Sequence, residues 1–141
     1  MRRAILALLL LPLAASHGTA EHDTDIVDVS IVQLIANPAD WEGRIVRVRG
    51  FCHIAFESTG IFLHREDSEI MNLQNGIWLD VKPNSYEMLS EKFAFVVGRF
   101  TNKYHGHLGA WAGTIRDVSK LGALTTRREL EQMRKGLSDR P

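Results

Sequence analysis

The sequence predicts an all-β fold, a small barrel of five short strands with minor helices. Five apolar segments of strand length, rich in Val, Ile and Phe, are separated by turns or by polar runs. One short helix-like segment lies between the third and the fourth of them. The chain has 141 residues, of which 45% are hydrophobic and 24% charged, so its composition is that of an ordinary globular protein with one small domain.

The first twenty residues predict a secretory signal peptide. Arg2 and Arg3 form a basic region, residues 4–15 are almost wholly apolar, and small residues follow. The apolar run is too short to cross a membrane, which takes about 20 residues. Cleavage fits after Ser16 or after Ala20, and neither site leaves a cysteine at the new N-terminus. We therefore expect a soluble protein, exported to the periplasm or the extracellular space.

The net charge bears on nucleic-acid binding, and the cysteine content bears on disulfides. Cleavage after Ala20 leaves 15 basic residues against 17 acidic ones, a formal charge of −2, so nucleic acid is an open but not a favoured partner. Cys52 is the only cysteine, which excludes an intramolecular disulfide. It alternates with Val48 and Ile54, which predicts a buried apolar side chain.

Three segments make up the chain after the signal peptide. Residues 21–28 form an acidic lead, which we expect to be mobile because few apolar residues hold it down. Residues 29–124 form the barrel domain. Residues 125–141 form an amphipathic basic helix or tail, which we expect to pack on the barrel or to fray. Its apolar residues at helical spacing are Leu130, Met133 and Leu137.

The barrel domain opens with a short helix. Ser30 can cap its N-terminus, Pro38 stops it, and a turn ends at Gly43. The first strand, residues 45–56, is unusually long, and Gly50 in its middle predicts a bend or a bulge.

Four more strands follow in the sequence. They are the segments IFLH (residues 61–64), IWLDV (77–81), FAFVVGRF (93–100) and GAWAGTIRDVSKL (109–121). A polar run, residues 65–76, separates the second strand from the third, and SYEMLSEK (85–92) predicts a short helix between the third and the fourth. This element order is that of the OB-fold, a five-stranded Greek-key barrel. The predicted barrel has a short N-terminal helix, a short helix between strands three and four, and a C-terminal helix.

A resemblance supports the same fold. The segments that carry it are NPADWEGRIVRVRGF, GIFLHRED, GIWLDV, VVGRF and GHLGAWAGTIRDVSKL. They resemble a largely uncharacterised group of small exported bacterial proteins with a nucleic-acid-binding-like OB-fold. The resemblance spans residues 29–121 and implies the fold and an exported location. It implies no reaction and no catalytic residues.

Alternation divides the first three strands into two faces. The inward side chains of the first strand are Val46, Val48, Cys52, Ile54 and Phe56. The outward side chains of the three strands are Arg47, Arg49, Phe51, His53, Phe62, His64, Trp78 and Asp80. Aromatic planes stack on bases or sugars and arginine donates to anions, so we predict that this face binds an extended ligand: an oligosaccharide, a nucleic-acid fragment or a peptide.

Three alternatives to this binding face stay open at the level of sequence. The helices can cover the face, in which case Phe51, Phe62 and Trp78 are structural. The protein can instead serve a protein-interaction role, as an inhibitor, an immunity protein or an envelope assembly factor. A metal-dependent hydrolase is a third, minor alternative.

The segment KYHGHLGAWAGT, residues 103–114, joins the last two strands. His105 and His107 need a third metal ligand, and no spacing brings one of His64, Asp80 or Asp117 to them, so we assign no metal. We predict both histidines as contacts at the rim of the binding face.

The glycines of the same segment have mechanical roles in this prediction. Gly106 and Gly109 permit a positive φ, and Gly113 relieves crowding where the last strand bends. Strands flank the glycines on both sides, so we predict no cofactor. Without a G-x-S-x-G elbow, we also predict no catalytic residue and no enzymatic activity.

Overall fold

The computed structural model describes residues 25–138. The predicted signal peptide, its two candidate cleavage sites and part of the acidic lead lie outside these residues, as do residues 139–141 of the predicted tail. Val27–Asp28 form a short strand, β1, which pairs in parallel with the first barrel strand. The lead is therefore held in the sheet at residues 27–28, where we expected a mobile segment.

Five further strands close into a barrel. They are β2 (Ile45–His53), β3 (Gly60–Phe62), β4 (Gly76–Leu79), β5 (Lys92–Thr101) and β6 (Thr114–Ala123). Around the barrel the order is β2-β3-β4-β6-β5, and pairing of β2 with β5 closes the ring. The β4–β6 pair is parallel and the other pairs of the ring are antiparallel. The fold is therefore all-β with minor helices, an OB-like barrel, which confirms the predicted fold class.

Within residues 25–138, four α-helices accompany the barrel: α1 (Ile31–Ala36), α2 (Pro38–Trp41), α3 (Arg65–Glu69) and α4 (Arg127–Ser138). The predicted cap of α1 is confirmed, because the Ser30 side chain accepts a hydrogen bond from the backbone of Gln33 and the Gln33 side chain accepts one in return. Ile31 and Leu34 of α1 are fully buried and belong to the core of the barrel.

The predicted short helix between the third and the fourth barrel strands is present as two 3-10 helices, Pro83–Ser85 and Glu87–Leu89. No α-helix forms in the segment SYEMLSEK, because Leu89 is its only buried residue and no apolar face demands one. The polar run between β3 and β4 contains α3, which we did not predict. Asp67 of α3 is buried and accepts hydrogen bonds from Asn72 and Asn75, a polar pattern that hydrophobic periodicity does not reveal.

The predicted inward residues of strand β2 are confirmed, because Val46, Val48 and Cys52 are fully buried. Ile54, one residue beyond the strand, is nearly so. Phe56, which we expected to point inward, is 85% exposed. Since β2 ends at His53, the alternation of a strand no longer applies at residue 56.

No bulge occurs at Gly50. The register of β2 against β5 is continuous there, from the pair Arg49–Phe95 to the pair Phe51–Phe93. A glycine is needed for another reason: a Cβ would overlap the backbone oxygen of Phe62 and approach Ile31 and Ile61 to 2.9 Å. The strand thus passes too close to β3 and α1 for any side chain.

Helix α4 is amphipathic as predicted, but its apolar face is not covered by residues 25–138. Thr126 caps it through a hydroxyl that accepts from the backbone of Glu129, and the Glu129 carboxylate accepts in return from the Thr126 backbone and hydroxyl. Its three apolar side chains are all more than half exposed; they are Leu130, Met133 and Leu137.

Candidate functional site

A cluster of three aromatic rings covers the outer side of β3 and β4. Trp111, only 2% exposed, lies with its ring centroid 5.1 Å from Phe62 and 5.6 Å from Trp78. We predicted Trp111 inside the fifth strand, but β6 begins at Thr114, so Trp111 belongs to the loop of residues 102–113. This loop therefore folds back over the barrel wall.

Two glycines make room for the indole of Trp111. Gly60 pairs with Trp78 across the strands, and Gly76 pairs with Phe62. A Cβ at Gly60 would overlap Trp111, and a Cβ at Gly76 would lie 2.9 Å from its Cζ3 atom. The two glycines, with Phe62 and Trp78, form a slot one ring wide. Trp111 fills this slot on the face where OB-folds bind ligands.

The neck of the loop is closed by a reciprocal contact. The Trp111 backbone donates to the His105 carbonyl at 3.1 Å, and His105 Nδ1 lies 2.9 Å from the Trp111 carbonyl oxygen. The predicted positive φ is confirmed at Gly106 and Gly109. Gly113 also has its predicted role, because a Cβ there would lie 2.7 Å from the ring of Phe100.

Glu42 anchors the start of the same loop. Its carboxylate accepts from the Thr101 hydroxyl at 3.0 Å and from the Asn102 backbone at 2.7 Å. Burial alone raises the pKa of Glu42, but the hydrogen bonds from Asn102 and Thr101 outweigh it and hold the pKa below its usual value. The loop is thus fixed at its start as well as at its neck.

A second loop, residues 54–59 between β2 and β3, meets the tip of the first. His107 Nε2 lies 3.8 Å from Glu57 Oε2, so the two loops approach each other at these residues. Next to these residues in the chain, Phe56 is 85% exposed and Leu108 is 88% exposed. Tyr104 is exposed on the same loop as Leu108. We call the following five residues the rim: Phe56, Glu57, Tyr104, His107 and Leu108.

The backbone at the rim is strained. Glu57 has φ 61° and Leu108 has φ 57°, in the left-handed region that non-glycine residues seldom adopt. Each such residue costs on the order of 1–3 kcal/mol and persists only where its surroundings hold it. Leu108 combines this backbone with an almost fully exposed apolar side chain, and neither feature helps the fold.

Phe51 and His53, predicted on the open face, are engaged with the protein itself. Phe51 is fully buried, packs edge to face on Phe93 with centroids 5.5 Å apart, and has the Arg65 guanidinium 4.9 Å above its ring. His53 Nδ1 lies 2.7 Å from Glu91 Oε1. The expected exposure of Phe51, like that of Phe62, is wrong, because α3 and Trp111 bring partners onto this face.

The two predicted arginines lie elsewhere on the barrel. Arg47 and Arg49 lie in the first half of β2, opposite Val97 and Phe95 of β5, and both bind the carboxylate of Asp28. His64 and Asp80 are exposed, His64 before α3 and Asp80 beyond the end of β4. The structure therefore brings together Phe62, Trp78 and His105 around Trp111, whereas His107 lies at the rim against Glu57 and the two arginines lie opposite β5.

Neither a metal-binding group of side chains nor a reactive thiol is present among residues 25–138. No three His, Cys, Asp or Glu side chains in that range are grouped so that they could hold a metal ion. Cys52 is buried as predicted, and its burial, with a contribution from the Glu91 charge, raises the pKa of the thiol to about 12.

Sequence reasoning missed the residues that organise this surface. The role of Trp111 depends on Gly60 and Gly76 standing on neighbouring strands, which only the strand register reveals. Phe56 and Leu108 were missed because one was assigned to a strand and the other to a plain connection. Asp28 was missed as the partner of the arginines because β1 has only two residues.

Comparisons with protein-family models, with curated proteins and with solved structures give no match for this chain. Within residues 25–138, no helix has the length and apolar character that crossing a membrane requires.

Proposed function

We propose that the protein is an exported, non-enzymatic binding module of OB type that engages another protein or an extended peptide through its rim. The observation that carries the proposal is the pair of exposed apolar side chains, Phe56 and Leu108, on two loops that approach each other at Glu57 and His107. The corresponding loops are the ligand-binding loops of many OB-folds. The proposed export rests on the sequence of residues 1–20 alone.

The chemistry of the rim favours a protein over a saccharide or a nucleic acid. Saccharides and bases bind to open aromatic planes, but Phe51 and Phe62 are buried and Trp78 is partly covered by Trp111. Exposed apolar tips instead suit a protein partner, because aromatic residues such as Phe are enriched in protein interfaces and a few buried anchors supply most of the binding free energy there. In this proposal the outer face of β2, β3 and β4, where we predicted a ligand from the sequence, holds the rim loops in place and does not itself contact the partner.

Preorganisation is a second argument for the rim. The positive φ of Glu57 and Leu108 costs stability, and the exposed side chains of Phe56 and Leu108 contribute none. Loops already held in one conformation lose less entropy when a partner binds, which increases the affinity. A strained and exposed apolar tip is therefore understandable as part of a binding surface.

The test compares capture of proteins by the wild type with capture by a rim variant. The double variant Phe56→Ser, Leu108→Ser removes both apolar tips, and the control Ile70→Ser, Met88→Ser removes two side chains that are 74% and 77% exposed on other loops. Immobilised proteins are exposed to the extracytoplasmic fraction of the source cells, and retained proteins are crosslinked and identified by mass spectrometry. We expect one specific partner with the wild type and the control, and its loss with the rim variant.

Two results would contradict the proposal. Equal retention of the partner by the rim variant and the wild type would show that the rim is not the contact. Binding of an oligosaccharide or an oligonucleotide from a panel, followed by tryptophan fluorescence and unchanged in the rim variant, would favour the covered strand face instead.

A further inference from the structure

The outer surface of β2, β5 and β6 carries a second group of side chains, distinct from the rim. The register gives two rows across these strands: Arg47, Val97 and Lys120 in one, and Arg49, Phe95 and Gly122 in the next. We call Arg47, Arg49, Phe95 and Lys120 the arginine face. With Leu124 they line a surface depression of about 320 Å³, within the range of small-molecule sites.

The arginine face already holds one oxyanion, the Asp28 carboxylate. Arg47 Nη1 lies 3.1 Å from Asp28 Oδ2, and Arg49 Nη1 lies 2.9 Å from Asp28 Oδ1. Each guanidinium group thus binds a different oxygen of the same carboxylate. The Asp28 side chain is 50% exposed and is attached through a strand of two residues, so this internal oxyanion is open to competition from solvent.

Charge indicates which external ligand fits. The arginine face has three positive side chains, Arg47, Arg49 and Lys120, and the Asp28 carboxylate neutralises one of these charges, which leaves an excess of two. A phosphate monoester carries about −1.5 to −2 charges at pH 7, and guanidinium groups bind its oxygens as they bind those of a carboxylate. We propose that the arginine face binds a phosphate monoester carried on a ring that packs against Phe95.

The place for the ring is beside Phe95. This half-buried side chain stands between Arg49 on β2 and Gly122 on β6, and a Cβ at residue 122 would lie 2.9 Å from its ring. The Phe95 ring therefore lies directly over Gly122, which has no side chain to displace it. Phe95 and Leu124 also line the depression, so a ring of the ligand can pack against these two side chains while its phosphate reaches the arginines.

A purely structural reading of the same contacts is that Asp28 only fixes β1 to the barrel. The two readings differ in what Asp28→Asn does. If Asp28 is an internal competitor, its neutralisation frees the arginines and strengthens phosphate binding. If Asp28 is only an anchor, Asp28→Asn lowers the stability of the protein and does not increase its affinity for phosphate.

The experiment is isothermal titration of the purified protein with adenosine 5′-monophosphate at low salt. Glucose 6-phosphate, inorganic phosphate and adenosine serve as probes for the separate parts of the ligand. We expect both monoesters to bind more tightly than inorganic phosphate, and adenosine not to bind.

Variants assign the binding to the arginine face. Arg49→Ala is expected to weaken binding about tenfold, because it removes a charge-assisted hydrogen bond. Lys120→Ala should weaken it about fivefold and Asp28→Asn should strengthen it about fivefold, the size of one charge interaction near the surface. Lys82→Ala, an exposed lysine outside the lining of the depression, should leave affinity unchanged.

The gain expected for Asp28→Asn keeps the test decisive, since misfolding cannot produce tighter binding. Absence of phosphate-dependent binding in both the wild type and Asp28→Asn would overturn the proposal. So would binding that Arg49→Ala and Lys120→Ala do not weaken. Equal affinity for inorganic phosphate and for the two monoesters would refute the part of the proposal that concerns the ring.

Discussion

Gly60→Ala is expected to destabilise the barrel mainly through one neighbour, Trp111. A Cβ at residue 60 would overlap the Cζ3 and Cη2 atoms of the indole, and its next contact is the backbone oxygen of Ile77 at 3.0 Å. Because that oxygen belongs to the barrel wall, the indole has to tilt or leave its slot. Overpacking of this kind lowers the free energy of unfolding by about 1–3 kcal/mol.

Removal of the indole should relieve most of that cost. Trp111→Ala alone is expected to cost about 3–5 kcal/mol, since it deletes a buried ring that contacts Phe62 and Trp78. In its background the methyl group added at residue 60 enters vacated space. The double variant should therefore be about 1–3 kcal/mol more stable than the sum of the two single costs predicts.

The free energy of unfolding is measured by urea titration for the wild type, the two single variants and the double variant. The unfolding is followed by far-ultraviolet circular dichroism, because this signal does not require the tryptophan that two of the variants lack. Gly98→Ala is the matched control, because its Cβ would meet Arg116 and Ile115, both at 2.7 Å, rather than the indole. Its cost should add to that of Trp111→Ala. Additivity within about 0.5 kcal/mol at Gly60 as well would refute the reasoning, because it would mean that Trp111 does not fill the slot.

Three further predictions follow from single contacts. The pKa of Glu42 is lowered in the folded protein, so the stability that this carboxylate contributes is fully present above its ordinary pKa of 4.5 and is lost as the pH falls through its folded pKa. Glu42→Gln should therefore make the urea midpoint fall less steeply with pH in that acid range. An unchanged dependence of the midpoint on pH would contradict this. Cys52, with its thiol pKa raised to about 12, should release no colour from 5,5′-dithiobis(2-nitrobenzoic acid) until the protein unfolds; rapid stoichiometric reaction of the native protein would be inconsistent with its burial. Ser30→Ala should lower the free energy of unfolding by about 0.5–2 kcal/mol through loss of the reciprocal cap with Gln33, and a urea midpoint equal to that of the wild type would show that the cap is not needed.

The strands were predictable because their apolar residues repeat in a way that the barrel core requires. Val46, Val48 and Cys52 alternate with outward residues, and each is fully buried. Helix α1 was predictable from Ser30 and Pro38, since both act locally on the backbone. Helix α3 was not, because it depends on polar contacts of Asp67 with residues that follow in the chain.

The candidate site was less predictable than the fold, because it depends on which elements meet. Alternation correctly placed Phe51 and Phe62 on the opposite side of the wall from Cys52 and Ile61, which belong to the core cluster, but it cannot tell an open face from a covered one. The covering side chain, Trp111, comes from a loop more than thirty residues away in sequence from Gly76. The same limit applies to Asp28, whose contact with Arg47 spans 19 positions.

The closed neck between His105 and Trp111 separates a fixed part of the loop from a free part. Gly106 still packs on the rings of Trp78 and Trp111, and the Gln74 side chain donates to the Ala110 carbonyl oxygen, whereas Leu108 and Gly109 between these contacts are exposed. Substitutions at this tip therefore need not disturb the barrel, provided that residue 109 keeps its positive φ. The protein can thus be treated as a scaffold with an exchangeable tip, into which other recognition sequences can be grafted while the slot and its indole keep the loop in place.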